Sequence, residues 1–283
     1  MLYNLSIQYT EIVFGGKTMN RYLMNSGGKD SMASTIICYE NGIELDAVVI
    51  AEIMFSHEKN ISAEHPDHRE WLHEYAIPKI QNSFGYRVEV VRSEKDYVTY
   101  FYEIIKRSKH PERIGKKHGF VLGGTMCALK RDCKIMTLEK WCKEHGQFEK
   151  IVGIAFDETE RLEHLHKQPN ARSVLEEHRI FEKDTYGICE PYGLLSPYYS
   201  SGRERNGCWF CPNAKIPEFY DTRKRFPKLW QELQKMSEED GLCSKFFRYN
   251  MTFKQLNMEL DQYEQNINLD RLQMSLLEGG FGE

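Results

Sequence analysis

The sequence lacks several features that would assign the chain to a special class of protein. No apolar run approaches the roughly 18 residues of a membrane-spanning helix, so we expect no membrane partner. There is no internal repeat and no low-complexity tract. The net charge is only −4, from 38 Lys and Arg against 42 Asp and Glu. This balance argues against a generally basic nucleic-acid-binding surface and leaves room for a local basic patch.

What remains is the composition of an ordinary globular protein. A chain of 283 residues suits one large domain, or one domain with an appendage. Hydrophobic residues make up 41% and charged residues 28%. Eight cysteines without a recognisable secretory signal predict a reducing compartment, which we expect to be the cytoplasm. Clustered cysteines there are more often metal ligands than disulfides.

Strand and helix patterns alternate over most of the first 172 residues. Short apolar runs predict strands at residues 21–24, 46–51, 87–91 and 150–156, and amphipathic stretches predict helices from residue 32 and at 66–84, 97–105 and 130–145. Strands that alternate with helices form βαβ units. We therefore predict an α/β fold with a doubly wound, mainly parallel sheet covered on both faces.

The pattern of apolar and polar residues in the sequence changes near residue 173. Residues 217–236 and 252–277 are amphipathic and predict helices, which would cover the sheet or form a homo-oligomer interface. We place a nucleotide-binding domain at 19–172 and a helical, cysteine-containing region at 173–283. Residues 1–18 are an extension without an evident role. Residues 15–19 are what a purine-rich ribosome-binding site would encode in frame, so we expect Met19 to be the natural start.

The most informative stretch is Ser-Gly-Gly-Lys-Asp-Ser at residues 26–31, which joins the first strand to the first helix. Two glycines permit a tight turn that exposes successive N–H groups, and we expect Ser26 and Asp30 to act as helix caps. The positive end of the helix dipole adds to this, so the turn suits phosphate or pyrophosphate. For a Gly-Gly pair alone, a plain βα turn is an equal alternative.

The whole hexapeptide closely resembles the Ser-Gly-Gly-x-Asp-Ser loop of the PP-loop ATP pyrophosphatase superfamily. It differs from the common nucleotide loop, which ends in Gly-Lys-Ser/Thr. The resemblance implies an adenine nucleotide alpha hydrolase-like fold in which the loop grips the pyrophosphate of ATP while a substrate is adenylated. Glu52 and Met54 follow the second strand at its carboxyl end, where open α/β sheets bind ligands. The predicted nucleotide ligands are Ser26, Gly27, Gly28, Lys29, Asp30, Ser31, Glu52, Met54 and Gly153.

The end of the fourth strand carries a second polar group. Gly153 leads into Asp157, Glu158 and Arg161, which is similar to the nucleotide site of the phosphoadenosine phosphosulfate (PAPS) reductase branch of the superfamily. A helix start with favourably placed acids is the alternative. The resemblance implies Asp157 or Glu158 as a ligand of Mg²⁺ or substrate and Arg161 as a phosphate ligand. The predicted catalytic residues are Lys29, Asp30, Asp157, Glu158 and Arg161.

Four cysteines form a candidate metal site. Cys208 and Cys211 make a CxxC knuckle, and Cys127 and Cys133 lie upstream. A lone CxxC could be a redox pair, whereas two nearby pairs typically bind zinc or an iron–sulfur cluster. The PAPS reductase-like family has cysteines at both locations, and some members bind a [4Fe–4S] cluster. The spacing of Cys127 and Cys133 departs from the family pattern.

Other potential ligands have simpler interpretations. The remaining helical cysteines are predicted to be small apolar packing residues, namely Cys38, Cys142 and Cys189. His65, Asp67 and His68, and likewise His164 and His166, are predicted to be solvated helix ends rather than metal ligands.

Residues 192–236 extend the resemblance to bacterial and phage proteins labelled PAPS reductase-like, so that it covers about residues 21–236. PAPS reductases carry a Glu-Cys-Gly-(Ile/Leu)-His motif that this sequence lacks, which makes reduction of PAPS doubtful. The first hypothesis is an enzyme that cleaves ATP to AMP and pyrophosphate to adenylate an unidentified acceptor, or that acts on a sulfonucleotide. The alternatives are a cluster-assisted sulfurtransferase acting on tRNA or DNA, and a nucleotide-sensing module without turnover.

Overall fold

The computed structural model describes residues 13–14, 17–120, 127–200, 202–203 and 205–278. Most of the extension predicted at residues 1–18 lies outside these ranges. The strands are β1 (Val13–Phe14), β2 (Lys17–Thr18), β3 (Asn20–Asn25), β4 (Ala47–Ala51), β5 (Met54–Ser56), β6 (Ile61–Ser62), β7 (Val88–Val91), β8 (Phe148–Val152), β9 (Ala171–Arg172), β10 (Phe246–Arg248) and β11 (Met251–Thr252).

The helices are mostly short. They are α1 (Lys29–Glu40), α2 (Pro66–Trp71), α3 (Ile77–Phe84), α4 (Tyr97–Tyr102), α5 (Met136–Glu144), α6 (Thr159–His166), α7 (Val174–Glu177), α8 (Thr185–Cys189), α9 (Pro197–Ser200), α10 (Ile216–Arg225), α11 (Pro227–Ser237) and α12 (Phe253–Glu278). A π-helical turn, Leu72–Ala76, joins α2 to α3, and another, Lys130–Ile135, leads into α5. In the part of the chain that the structure describes, no helix is both long and apolar enough to cross a bilayer.

A five-stranded sheet in the order β7-β4-β3-β8-β9 confirms the predicted α/β fold. Every pair of neighbouring strands in it is parallel. The carboxyl ends of all its strands therefore lie at one edge, where doubly wound folds bind ligands. The short strand β9 was not predicted, because two residues carry no recognisable alternation.

Side chains alternate between the two faces of this sheet, and both faces are covered. On one face, strand residues pack with α1, α3, α7 and α8; they are Leu23, Val48, Ile50 and Ile151. On the other face, Tyr22, Ala47 and Val49 pack with Cys142 of α5. The near-continuous apolar strands predicted from sequence are thus buried on both sides, as parallel strands usually are.

Three predicted boundaries need correction. The fourth strand ends at Val152 rather than at residue 156, because the backbone turns at Gly153 and Ile154 N donates to Val152 O. Helix α4 ends at Tyr102 rather than at residue 105, because Ile105 forms backbone hydrogen bonds with Gly115 and Lys116. The helical stretch 217–236 is two helices separated at Phe226, since Pro227 cannot continue the first one.

The chain divides into two compact units. The first comprises residues 1–53, 64–94 and 132–206, and it holds the parallel sheet. The second comprises residues 54–63, 95–131 and 207–283. An aromatic core fills the second unit, with Phe55 against Trp209 and Tyr97 stacked on Phe210 at 4.3 Å between ring centroids. The domain boundary near residue 173 stays a prediction.

Candidate functional site

The loop at residues 26–31 connects the carboxyl end of β3 to the first turn of α1. Gly27 has a φ of +74°, a left-handed conformation that favours glycine. A Cβ atom there would lie 2.6 Å from Nε2 of His68, so a larger residue would not fit. The turn also forms its own hydrogen bonds, because Gly27 N donates to Asn25 Oδ1 at 2.7 Å and Ser26 N donates to Ser31 Oγ at 3.1 Å.

The predicted capping by Ser26 and Asp30 is wrong. The N-cap of α1 is Gly28, which has no capping side chain. Ser31 Oγ instead lies within hydrogen-bond distance of Gly28 O, at 2.9 Å, and accepts from the backbone of Ser26. The Ser31 hydroxyl therefore stabilises the loop through hydrogen bonds within it.

Four side chains from α2 and the segment after residue 195 hold the loop in place. Asn206 Nδ2 donates to Ser26 O at 2.9 Å and lies 2.9 Å from Nε2 of His68. Because the Asn206 amide donates, Nε2 of His68 is the acceptor, and Nδ1 carries the proton towards Ser196 Oγ at 2.9 Å. Lys29 N donates to the hydroxyl of Tyr199 at 3.2 Å.

His65 and His68 are buried, which contradicts the prediction of solvated helix ends. Their exposed fractions are 1% and 0%. Burial, with the positive charge of Lys134, lowers the pKa of His68 to about 4. His68 is therefore neutral at physiological pH, as its hydrogen bonds require. His164 and His166 are exposed, as predicted.

Gly153 lies directly against the start of α1. A Cβ atom at this position would lie 2.7 Å from Ser31 N and 2.9 Å from Asp30 O. Both are backbone atoms, which cannot swing away as the end of a flexible side chain can. The absence of a side chain at Gly153 is what lets the turn after β8 approach the loop after β3.

Lys29 is buried and forms ion pairs with Asp30 and with the partly exposed Glu182. The Lys29 ammonium is 2.8 Å from Asp30 Oδ1 and 2.8 Å from Glu182 Oε1. Thr185 Oγ1 also donates to Asp30 Oδ1 at 3.0 Å. Burial disfavours the charged form of Lys29, but the hydrogen bonds to the two carboxylates outweigh it and raise the pKa of Lys29. Glu182 was missed because no sequence pattern links it to the loop.

The acidic turn after β8 is joined to the same network. Asp157 Oδ1 accepts a hydrogen bond at 2.9 Å from the backbone N of Glu182. Glu158 has a different role, since it accepts from Ala155 N at 3.0 Å and forms an ion pair with Arg161. Asp157, Lys29 and Asp30 are thus brought together through Glu182, whereas Glu158 and Arg161 pair with each other.

Glu52 and Met54 belong to different units. Glu52 follows β4, is 2% exposed, and accepts hydrogen bonds from Arg69 and Arg92. Met54 is a buried residue of the second unit, in β5. The two arginines were not predicted, since isolated arginines in a sequence give no signal of what they contact.

The four candidate metal ligands are divided between the units. Cys127, Cys208 and Cys211 belong to the second unit and Cys133 to the first. Cys211 N donates to Cys208 O at 2.9 Å, which forms the knuckle turn. Burial raises the pKa of the Cys211 thiol, and the nearby thiol of Cys127 adds to the shift. Among the described residues, no group of three or more His, Cys, Asp and Glu side chains is arranged to hold a metal ion.

The other helical cysteines behave as predicted. Cys38 and Cys189 are buried in the core that covers one face of the sheet, and Cys142 is buried on the other face.

Comparison with known proteins gives likenesses of fold and of sequence. No family model matches the chain. An uncharacterised protein of Methanocaldococcus jannaschii is 22% identical over 227 residues, which are 76% of this chain and 40% of that protein. The chain thus spans about two fifths of the length of this relative.

Two solved structures are similar in fold. A PAPS reductase from Candida auris, solved as a phosphate complex, gives a TM-score of 0.41 with 7% identity, over 67% of this chain and 81% of the reductase. The U34-tRNA thiolase NcsA from Methanococcus maripaludis, with its [4Fe–4S] cluster, gives a TM-score of 0.40 with 14% identity, over 80% of this chain and 74% of the thiolase. Both likenesses are of fold alone.

Proposed function

We propose that this chain is a PAPS reductase-like enzyme that binds ATP or a related adenine nucleotide at residues 26–31. It either cleaves ATP to AMP and pyrophosphate to adenylate a substrate, or acts on a sulfonucleotide. The observation that carries the proposal is a two-glycine loop at the N-terminus of a 12-residue helix, approached at backbone distance by Gly153. The positive end of a helix dipole favours phosphate oxygens.

Lys29 and Tyr199 are the side chains that we assign to phosphate oxygens. The Lys29 ammonium is 5% exposed and already charged, so it needs no proton to offset negative charge on the pyrophosphate. Burial raises the pKa of Tyr199 to about 12, so its hydroxyl keeps its proton at neutral pH. That hydroxyl accepts from Lys29 N, and its own hydrogen has no acceptor among the described residues.

Asp157 suits Mg²⁺ better than Glu158 does. A hard cation prefers carboxylate oxygens, and ATP enzymes commonly hold Mg²⁺ with one or two of them. Asp157 is exposed and uses one oxygen, towards Glu182 N. Glu158 uses both of its oxygens, towards Ala155 N and Arg161. Arg161 keeps further N–H groups, which are assigned to a phosphate.

Calorimetry on the full chain tests this proposal. We expect ATP to bind with Mg²⁺ and more weakly without it, and Asp157→Asn to reduce the difference. Glu163→Gln, on the exposed side of α6, is the matched control. Failure to bind ATP at millimolar concentration would refute the proposal. Binding without pyrophosphate release across a substrate screen would favour the nucleotide-sensing alternative instead.

A thiolate-bound metal is the second part of the proposal. Cys127, Cys208 and Cys211 lie in one unit, and thiolates are the usual ligands of zinc and of iron–sulfur clusters. These thiolates would contribute ligands to zinc, as a structural ion, or to a [4Fe–4S] cluster, which supplies redox and sulfur chemistry, although the described residues do not form a closed ligand group. Metal and sulfide analysis of anaerobically purified protein separates the two. Absence of both, with Cys208→Ser still folded, would contradict the site.

The second candidate, sulfur transfer to nucleic acid, is favoured by one basic segment. Residues 106–117 of the second unit contain six Lys or Arg and a single acidic residue, Glu112. Within the described part of the chain, five of the six are exposed and make no ion pair: Lys106, Arg107, Lys109, Arg113 and Lys116.

Binding of labelled tRNA between 50 and 200 mM salt tests this candidate. Each phosphate contact contributes about −0.9 to the slope of log K against log salt for a duplex. We expect a Lys106→Gln, Arg107→Gln double variant to make the slope shallower by about 1 to 2. A Lys143→Gln, Lys167→Gln double variant, at exposed positions of the first unit, is the control. A slope near zero for the wild type would exclude the candidate.

A further inference from the structure

Glu52 and Arg92 leave the sheet side by side. Strands β4 and β7 pair in parallel, with Ala51 opposite Val91, and Glu52 N donates to Val91 O at 2.9 Å. Each residue is the first one beyond its strand. They therefore emerge at the edge from which the 26–31 loop also leaves the sheet, after β3.

Two arginines hold the Glu52 carboxylate. Arg69 Nε donates to Oε1 at 2.7 Å, and Arg92 donates to Oε2 from Nε at 2.9 Å and from Nη2 at 2.6 Å. The Glu52 side chain is 3% exposed, whereas those of Arg69 and Arg92 are 36% and 40% exposed. The carboxylate thus lies beneath two guanidinium groups that remain open to solvent.

Both guanidinium groups have N–H donors left over. Arg69 engages Glu52 through Nε alone, so both of its Nη atoms make no hydrogen bond to any described residue. Arg92 likewise keeps Nη1. A guanidinium presents five donors in a rigid fork that matches carboxylate, sulfate and phosphate oxygens.

Several positively charged side chains lie near the Glu52 carboxylate. Arg69 and Arg92 pair with it directly. Burial raises the pKa of the nearby Glu64 to about 7 against the opposing positive charge of Lys134, so at neutral pH this second carboxyl is only partly ionised. His73 Nε2 lies 3.6 Å from Glu52 Oε2 and would add to the positive charge if protonated.

Helix α2 links this arrangement to the nucleotide loop. A Cβ atom added at Gly27 would meet the ring of His68, and His68 directly precedes Arg69. Strand β4 lies between β3 and β7, and neighbouring strands are about 4.8 Å apart. Arg92 and the loop are therefore separated by two strand spacings, roughly 10 Å. One small substrate is long enough to contact both.

We propose that Arg69 and Arg92, oriented by Glu52, form a second anion site that binds a carboxylate, sulfate or phosphate group of the reacting molecules apart from the pyrophosphate at the loop. The proposal rests on the proposed function for its biochemical meaning, but the site can be tested without it.

Sulfate titration of the full chain, followed by the Nε–H signals of Arg69 and Arg92 in ¹⁵N NMR, tests the site. These signals report on the two guanidinium groups themselves, so sulfate bound at the loop does not mimic them. We expect chemical-shift changes that saturate with sulfate, and an affinity for sulfate that is at least tenfold weaker in Arg92→Gln. The control is Arg87→Gln, an exposed residue before β7 that pairs with Glu89. The Arg92→Lys variant keeps a positive charge beside Glu52 and is therefore less prone to unfold than Arg92→Gln. It should also bind sulfate more weakly than the wild type, because lysine lacks the forked donors of the guanidinium group.

Repeating the titration with saturating ATP identifies the source of the anion. Unchanged sulfate binding indicates a group on a separate acceptor, and competition indicates a second anionic group on the nucleotide itself; either result supports the site. Shifts that do not saturate, or that are equal in the wild type and Arg92→Gln, would overturn it. ATP binding measured on the same samples separates this failure from failure of the proposed function.

Discussion

Replacing Gly153 by alanine is the most direct test of how the site is built. The added Cβ atom would lie 2.7 Å from Ser31 N and 2.8 Å from the carbonyl carbon of Asp30. Ordinary contact begins near 3.4 Å, so one of the two backbones must move by about 0.7 Å (3.4 − 2.7). Forcing a methyl group into a well-packed position typically costs about 1–3 kcal/mol.

The movement falls on the first turn of α1, which we assign to the phosphates of ATP. A misplacement of about 1 Å in a preorganised site can reduce function on the order of 100-fold. We expect Gly153→Ala to weaken ATP binding by roughly 10- to 100-fold, while the free energy of unfolding falls by only about 1–3 kcal/mol. Calorimetry with ATP and urea unfolding measure the two effects on the same protein.

Gly187→Ala is the matched control. Gly187 lies within α8 of the same unit, and a Cβ atom there would meet nothing within 4 Å. Alanine is favoured over glycine in a helix by about 1 kcal/mol, so this variant should be as stable as the wild type or more so, with unchanged ATP binding. If folded Gly153→Ala binds ATP within twofold of the wild type, the loop beside Gly153 does not hold the phosphates.

Three further predictions concern stability and reactivity. Folding lowers the pKa of His68 from 6.5 to about 4, so neutral His68 contributes fully to the free energy of unfolding above pH 6.5, and this contribution is lost as the pH falls to 4. Between pH 6.5 and pH 4, urea unfolding should therefore show a decrease in the free energy of unfolding that is about 3 kcal/mol smaller in His68→Gln than in the wild type. Burial raises the pKa of Cys38 and Cys189 to about 12 from 9.0, so iodoacetamide at pH 8 should modify them on the order of 1,000-fold more slowly than an ordinary thiol, and equal rates would contradict their burial. Asp96 Oδ1 caps α4 by accepting from Thr99 N at 2.7 Å, so Asp96→Ala should lower the unfolding free energy by about 1–2 kcal/mol, and Asp96→Asn by less.

The sheet and the loop were predictable because their signals are local. The strand positions follow from short apolar runs, and the turn after β3 follows from two glycines next to a helix. The boundaries were less accurate where long-range contacts decide them. β8 ends early because Gly153 must pass close to Asp30 and Ser31, more than 120 residues away along the chain.

The contacts that hold the loop could not be predicted from the sequence. His65 and His68 stand in a polar stretch that is typical of a solvated helix start. His68 is buried because Ser196 and Asn206, about 130 residues later, form hydrogen bonds with it, and His65 packs against Tyr198. Glu182 is an ordinary exposed acid in the sequence, and only the fold shows that its carboxylate reaches Lys29. Such pairings depend on where distant segments lie at the edge of the sheet, and the local hydrophobic periodicity of a sequence carries no information on this.

The arrangement of the parallel strands explains why the candidate site draws on so many segments. Four adjacent strands, β7, β4, β3 and β8, end at one edge and are followed in turn by Arg92, Glu52, the 26–31 loop and Gly153. Each strand spacing of about 4.8 Å separates one of these groups from the next. A ligand that lies across the edge can therefore meet the guanidinium groups at one end and the helix N-terminus at the other. Because the backbone hydrogen bonds of the sheet fix these spacings, substitutions at the strand ends should change which substrate fits the site, whereas substitutions within the strands should change stability.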